Sequence, residues 1–336
     1  LTGERHRGPP PLRHNQNAAA PQRCAGLPGL FGFPYLDQAD PAYMQRLILP
    51  LPGNEGFAKR LAALCQGELG AVETRQFPDG ESYVRLHGDP RGRAVDIVCT
   101  LARPDPRFLS LVYAADTARE LGATQVNLIA PYLAYMRQDK RFQEGESISS
   151  LSFARLVSST FDRLLTVDPH LHRHPTLSAL YTIPTTTLHA APRLASWIAA
   201  NVQSPLIIGP DEESEQWAGS IAERIGAPHV VLRKTRQGDR QVDIEVPDLS
   251  AWQDRTPVLV DDIASSGRTL VVAAGKLAGM RPPQCVVVHA LFAEDAWSQV
   301  SDCFERVVST DAVPHPSNRI ELAPLLANAL LRDLRD

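Results

Sequence analysis

Val258-Leu259-Val260-Asp261-Asp262-Ile263-Ala264-Ser265-Ser266-Gly267-Arg268-Thr269 decides how the rest of this chain is read. An apolar run breaks abruptly into two adjacent carboxylates and then a small, hydroxyl-rich turn. Short valine- and leucine-rich runs between helical patterns suit buried parallel strands, and ligands of open parallel sheets gather beyond the carboxyl ends of such strands. The spacing predicts a turn over residues 265–269 that opens a helix near Leu270, where free backbone N–H groups and the helix dipole favour a phosphate. Asp261 and Asp262 are placed to face sugar hydroxyls. A plainer alternative also fits the motif alone: paired aspartates that solvate a strand exit and cap the next helix.

The chain has 336 residues, 43% of them hydrophobic and 21% charged, enough for two domains with real cores. Its net charge of -4 offers no large cationic field for nucleic acid, and no apolar run approaches membrane-spanning length. Neither nucleic acid nor membrane is therefore expected as a partner. The cysteines at 24, 65, 99, 285 and 303 are scattered, with no C-x-x-C pair, which fits a reducing cytoplasm better than a disulfide framework or a cysteine zinc site. Residues 1–45 carry Gly8-Pro9-Pro10-Pro11 and Asn17-Ala18-Ala19-Ala20-Pro21 without apolar periodicity, and are expected to be a disordered or non-native extension.

From about Arg46 the texture becomes α/β, with apolar strands at 95–100, 126–130, 164–167, 206–208, 230–232, 258–260 and 286–291. Helical patterns alternate with them at 56–66, 109–121, 213–225 and 270–277. The polar segment 235–239 suits a mobile loop over a site.

Further segments fall in a fixed order along the chain. Arg75-Gln76-Phe77-Pro78-Asp79-Gly80-Glu81-Ser82-Tyr83-Val84-Arg85 offers an aromatic ring for stacking and carboxylates that accept from an exocyclic amine, although Pro-Asp-Gly is also a common hairpin turn. Pro131-Tyr132-Leu133-Ala134-Tyr135-Met136-Arg137-Gln138-Asp139 follows a strand and presents a guanidinium and an amide. Val167-Asp168-Pro169-His170 and Gly209-Pro210-Asp211 each end a strand, and Leu232-Arg233-Lys234-Thr235-Arg236 places two cations two residues apart. The alternating His170, His172 and His174 leave a transition-metal cluster open as another reading.

In this order, over about the last four fifths of the chain, the segments resemble the ribose-phosphate pyrophosphokinase family. The resemblance implies an α/β fold of two tandem phosphoribosyltransferase-like domains with mainly parallel sheets, over residues 46–188 and 189–330. It implies a diphosphokinase acting on MgATP and ribose 5-phosphate in a homo-oligomer whose ATP site crosses a subunit contact. Carried onto this sequence, Lys234 and Arg236 are catalytic, and Phe77, Asp79, Glu81, Arg137 and Gln138 bind ATP. Asp261, Asp262, Ser265, Ser266, Gly267 and Thr269 hold ribose 5-phosphate, while His170 and Asp211 hold Mg2+. The chain departs from the family pattern at Ser265-Ser266-Gly267-Arg268 and at Glu212-Glu213-Ser214, and it lacks the glutamine-rich segment after the histidine, so family-type regulation by ADP and phosphate does not carry over. Two alternatives remain beside the enzyme: a non-catalytic regulatory homologue, and a phosphoribosyltransferase, which would leave the ATP-type segments without a use.

Overall fold

The computed structural model describes residues 46–171, 173–237, 241–293 and 295–332, without the side chains of residues 213, 234–237 and 241–243. The extension expected over residues 1–45 lies outside the described residues, as does His172.

The first stretch runs β1 (Arg46–Pro50), α1 (Glu55–Cys65), β2 (Glu68–Leu69), β3 (Ala71–Gln76), β4 (Ser82–His87), β5 (Ala94–Val98), α2 (Asp105–Glu120), β6 (Gln125–Ala130), α3 (Ser149–Thr160), β7 (Arg163–Val167) and β8 (Thr185–Leu188). The second runs α4 (Ala191–Asn201), β9 (Pro205–Gly209), α5 (Glu215–Ile225), β10 (His229–Val231), β11 (Arg233–Gln237), β12 (Gln241–Glu245), β13 (Thr256–Ala264), α6 (Arg268–Lys276), β14 (Gln284–Ala290), α7 (Ala296–Cys303), β15 (Arg306–Thr310), β16 (Asn318–Ile320) and α8 (Ala323–Arg332).

Two parallel six-stranded sheets result, ordered β2-β1-β5-β6-β7-β8 and β10-β9-β13-β14-β15-β16. Each stretch also inserts an antiparallel hairpin before its third sheet strand, β3–β4 in the first and β11–β12 in the second. The halves thus repeat in topology, although no repeat is visible residue by residue. Segment 235–239, expected as a mobile loop, is corrected by this pairing: its described part is strand, with Lys234 opposite Ile244 and Arg236 opposite Val242. Thr235 is β-branched and Val242 and Ile244 line the partner strand, so local preference for extended backbone outweighs the polar composition.

Strand alternation sorts the core into layers. Leu47 and Leu49 face the side covered by α2 and α3, whereas Ile48 faces a central layer. Likewise Val258 and Val260 face that central layer, and Leu259 faces α6 and α7. The central layer holds side chains of α1, α4, α5 and α8 between the two sheets as one continuous apolar cluster. Helix α8 packs on α1, so the last described helix closes over the first.

Polar contacts fix the two sheets at their carboxyl ends. His289, fully buried on β14, donates from Nε2 to the carbonyl oxygens of Val167 (3.1 Å) and Asp168 (3.2 Å) at the exit of β7. Tyr132 packs edge-on against the same imidazole at 5.0 Å. Thr100 donates from its hydroxyl to the Ala312 carbonyl (2.6 Å), and Arg60 donates to Asp311 (2.6 Å).

Burial holds the His289 imidazole below its ordinary pKa, against the opposing pull of Asp168 and Asp262. The unfolded chain therefore binds a proton more readily than the folded one. The stabilisation from the neutral ring is full above the ordinary histidine range and declines as pH falls through it toward the folded value. The urea midpoint of the wild type is expected to fall between about pH 7.5 and 5.5, and less so in His289→Gln, which should itself be about 1–3 kcal/mol less stable at neutral pH. An identical pH slope in the two proteins would contradict this.

Candidate functional site

Strand β13 extends further than its apolar run suggests, because pairing with β14 continues through Asp261, Ile263 and Ala264. Pairing with β9 stops at Leu259. Beyond that point one edge of β13 is unpaired by β9, and there the chain lines a cavity of about 840 Å³. Helix α6 begins at Arg268, two residues earlier than predicted, with Gly267 as N-cap at φ +68° and no side-chain cap. Its leading N–H groups are thereby left at the cavity wall. Only glycine suits position 267: besides the left-handed backbone, an added Cβ would lie 2.4 Å from the Val300 side chain.

The first sheet supplies the facing wall. Asp168 ends β7 in a left-handed conformation at φ +37° and is buried. Its carboxylate accepts from His189 Nδ1 (2.9 Å) and from the Ala190 N–H (2.8 Å), tying the exit of β8 and the start of α4 to the β7 loop. The hydrogen bond and charge of Asp168 raise the His189 pKa despite partial burial. His170, two residues on, meets Asp262 across the cavity, Nδ1 to Oδ2 at 2.8 Å. Arg173 donates from Nε to Asp139 (3.2 Å), joining this loop to the one that carries Arg137.

Asp211 follows β9 and caps a short turn over Glu212–Ser214, with Asp211 N–H donating to Ser214 Oγ (3.3 Å) and Ser214 Oγ donating to the Asp211 carbonyl (2.5 Å). Ser214 is buried, and an added Cβ at Gly209 would collide with its hydroxyl. Ser214 thus builds the turn that presents Asp211.

Burial and the negative charges of Asp262 and Asp211 push the Asp261 carboxyl well above the ordinary carboxylate range. Burial acts on Asp262 in the same direction, but the hydrogen bond and charge of His170, helped by His289, outweigh it and hold Asp262 below that range. The wall at the ends of β9 and β13 thus gathers carboxylate oxygens, donors that suit a hard divalent cation. Among the described residues no three His, Cys, Asp or Glu side chains converge on one point. This gives no support to a cluster built on His170 and His174.

The cavity brings together Arg137, His170, Asp211, Asp261, Asp262, Ser265, Ser266, Gly267 and Thr269. Arg268 also lines it and is exposed. Gln138 is not in its lining; its side-chain oxygen accepts from the Ser149 hydroxyl (2.9 Å) at the start of α3. Phe77, Asp79 and Glu81 sit at the tip of the β3–β4 hairpin, also outside the lining, where Asp79 accepts from the Glu81 N–H (3.1 Å). The side chains of Lys234 and Arg236 lie outside the described residues. Sequence reasoning missed Asp168, Arg173 and His189 as members of the site. Asp168 follows an apolar strand, the same signal that singled out Asp261, whereas His189 follows the threonine-rich β8 and carries no such signal.

The family model described as the N-terminal domain of ribose phosphate pyrophosphokinase matches residues 47–160, and the phosphoribosyl transferase domain model matches residues 178–315. A ribose-phosphate pyrophosphokinase of Methanopyrus kandleri is 36% identical over 84% of this chain and 98% of its own length. This chain belongs to the ribose-phosphate pyrophosphokinase family. Another member so named, from Methanothermobacter thermautotrophicus, is 32% identical over 84% of this chain and 99% of its own. The crystal structure of phosphoribosylpyrophosphate synthetase from Mycobacterium smegmatis shares the fold, with a TM-score of 0.75 and 22% identity, covering 87% of this chain and 99% of that one. The α/β architecture of tandem phosphoribosyltransferase-type domains is thus the family's own.

Gly267→Ala is expected to lower stability by about 1–3 kcal/mol through left-handed strain and the Val300 clash. It should also weaken protection of the protein by ribose 5-phosphate against thermal unfolding. Wild-type protection in the variant would show that the backbone conformation at Gly267 does not shape a ligand-binding turn over residues 265–269.

Proposed function

We propose that the chain transfers the β,γ-pyrophosphoryl group of ATP to the anomeric hydroxyl of ribose 5-phosphate, giving phosphoribosyl pyrophosphate and AMP. The hydroxyl oxygen forms a bond to the β-phosphorus, the bond from that phosphorus to the α,β-bridging oxygen breaks, AMP leaves with the bonding electrons, and the hydroxyl proton passes to solvent. No covalent enzyme intermediate is required. The observation that supports this reading is one cavity lined by the Asp261–Thr269 segment and Asp211 from the second sheet together with Arg137 and His170 from the first.

In this reading, Asp261 and Asp262 orient the ribose hydroxyls, while the N–H groups and hydroxyls of Ser265, Ser266, Gly267 and Thr269 hold the 5-phosphate. Arg137 takes phosphate oxygens of ATP through its planar guanidinium. Lys234 and Arg236, carried on β11, neutralise charge that develops in transfer. His170 and Asp211 would hold Mg2+, which when bound shields the phosphate oxygens from the incoming nucleophile. The Asp262 carboxylate keeps the His170 ring in a fixed orientation.

The proposal includes a homo-oligomer, supported by a hairpin tip that holds Phe77 outside the chain's own cavity and 40% exposed. It also includes a cytoplasmic setting, supported by Cys65, Cys99 and Cys285 standing as buried free thiols. Among the described residues no helix is long and apolar enough to cross a membrane.

AMP release from ATP is expected to depend on ribose 5-phosphate, and Lys234→Ala should reduce kcat by about 100-fold or more. Ligand binding without AMP release would assign the chain to the regulatory reading, and ATP-independent use of a nucleobase would assign it to phosphoribosyl transfer. Unchanged turnover in Lys234→Ala would remove Lys234 from the catalytic pair.

A further inference from the structure

We propose that Arg75 is a positioning residue that pre-orders the hairpin tip as a platform for the purine base of ATP. The inference rests on the reading that Phe77 meets that base. Arg75 stands directly opposite Tyr83 across the β3–β4 hairpin, two residues before Phe77. Its guanidinium carbon lies 4.1 Å from the Tyr83 ring centroid and 4.7 Å from that of Phe77. The two rings meet edge to face at 6.2 Å. One cation therefore engages both aromatic faces.

The surroundings give this contact its meaning. The base of the hairpin is anchored to the core by Val72, Val84 and Leu86, but Phe77 belongs to none of the apolar clusters. Backbone bonds from the Phe77 N–H to the Glu81 carbonyl (2.8 Å) and from the Gly80 N–H to the Phe77 carbonyl (2.9 Å) close the turn without fixing the ring. Among the described residues no carboxylate stands within ion-pair distance of Arg75, so its placement against the rings is not the by-product of a salt bridge. Exposed aromatic side chains ordinarily sample several rotamers, and a base that stacks on one must order it. Arg75 has already done so. A cation against one face also draws π density from the ring, which favours stacking of an electron-rich purine on the other.

The test uses the full-length protein and steady-state AMP release, with ATP and ribose 5-phosphate varied in turn, in Arg75→Ala, Arg75→Lys and Phe77→Ala. Arg75→Ala is expected to raise the KM for ATP about 3- to 10-fold, in keeping with the strength of exposed cation–π contacts. Its kcat and its KM for ribose 5-phosphate should stay within about twofold of wild type, a split that general damage to the fold would not produce. Arg75→Lys, which keeps the charge and loses the planar stack, should fall between wild type and Arg75→Ala. The inference is overturned if Phe77→Ala raises the KM for ATP while Arg75→Ala leaves it unchanged or lowers it; the latter would mean that Arg75 occludes the platform. If Phe77→Ala itself leaves the KM for ATP unchanged, the base does not meet Phe77, and the underlying reading fails first.

Discussion

The site depends on two parallel sheets being held with their carboxyl ends together, and the buried His289 is the clasp. A single imidazole N–H satisfies two carbonyls at the exit of β7, in a place where unpaired backbone oxygens would be expensive to bury. One side of the joint is covered by Tyr132, contributed by the loop that also carries Arg137. The contact between His170 and Asp262 repeats the same logic within the cavity itself, where each residue comes from a different sheet. A ligand that requires groups from both halves can be recognised only while these contacts align them. The shared apolar layer between the sheets supplies the stiffness that makes the alignment reproducible.

Electrostatics gives the cavity its selectivity. Asp211, Asp261 and Asp262 line one wall at the ends of β9 and β13, where burial and the charges of Asp262 and Asp211 raise the proton affinity of Asp261. Such a wall is unfavourable by itself and becomes favourable when positive charge arrives with the ligand. The opposite wall carries Arg137 and Arg173, with Arg173 steadied by Asp139. A molecule that is both polyanionic and metal-bound matches this division, since its phosphates can face the guanidiniums while its cation faces the carboxylates.

Much of this was legible in the sequence because strand exits announce themselves: apolar residues give way to a polar group at Asp168, Asp211 and Asp261, and each lies in the cavity. The alternation of Leu47, Ile48 and Leu49 between two core layers is the kind of order that composition does not reveal but period-two backbone geometry imposes. Residues 235–237 were expected as loop from their polarity, whereas cross-strand pairing depends on the partner, which lies beyond the window that composition samples. Arg173 and His189 escaped notice for a related reason. Their importance comes from Asp139 and Asp168, reached only through the fold. The contact of Gln138 with Ser149 at the start of α3 is of the same kind, reached only through the fold.

The two sheets share one strand order, and each receives its hairpin at the same step of the winding. The repeat therefore covers the point of insertion as well as the winding. The two inserts differ in sequence, with Arg75, Phe77 and Tyr83 in one and Lys234 and Arg236 in the other. Because neither hairpin contributes a strand to the large sheets, either can change its chemistry while the strand order beside it stays intact.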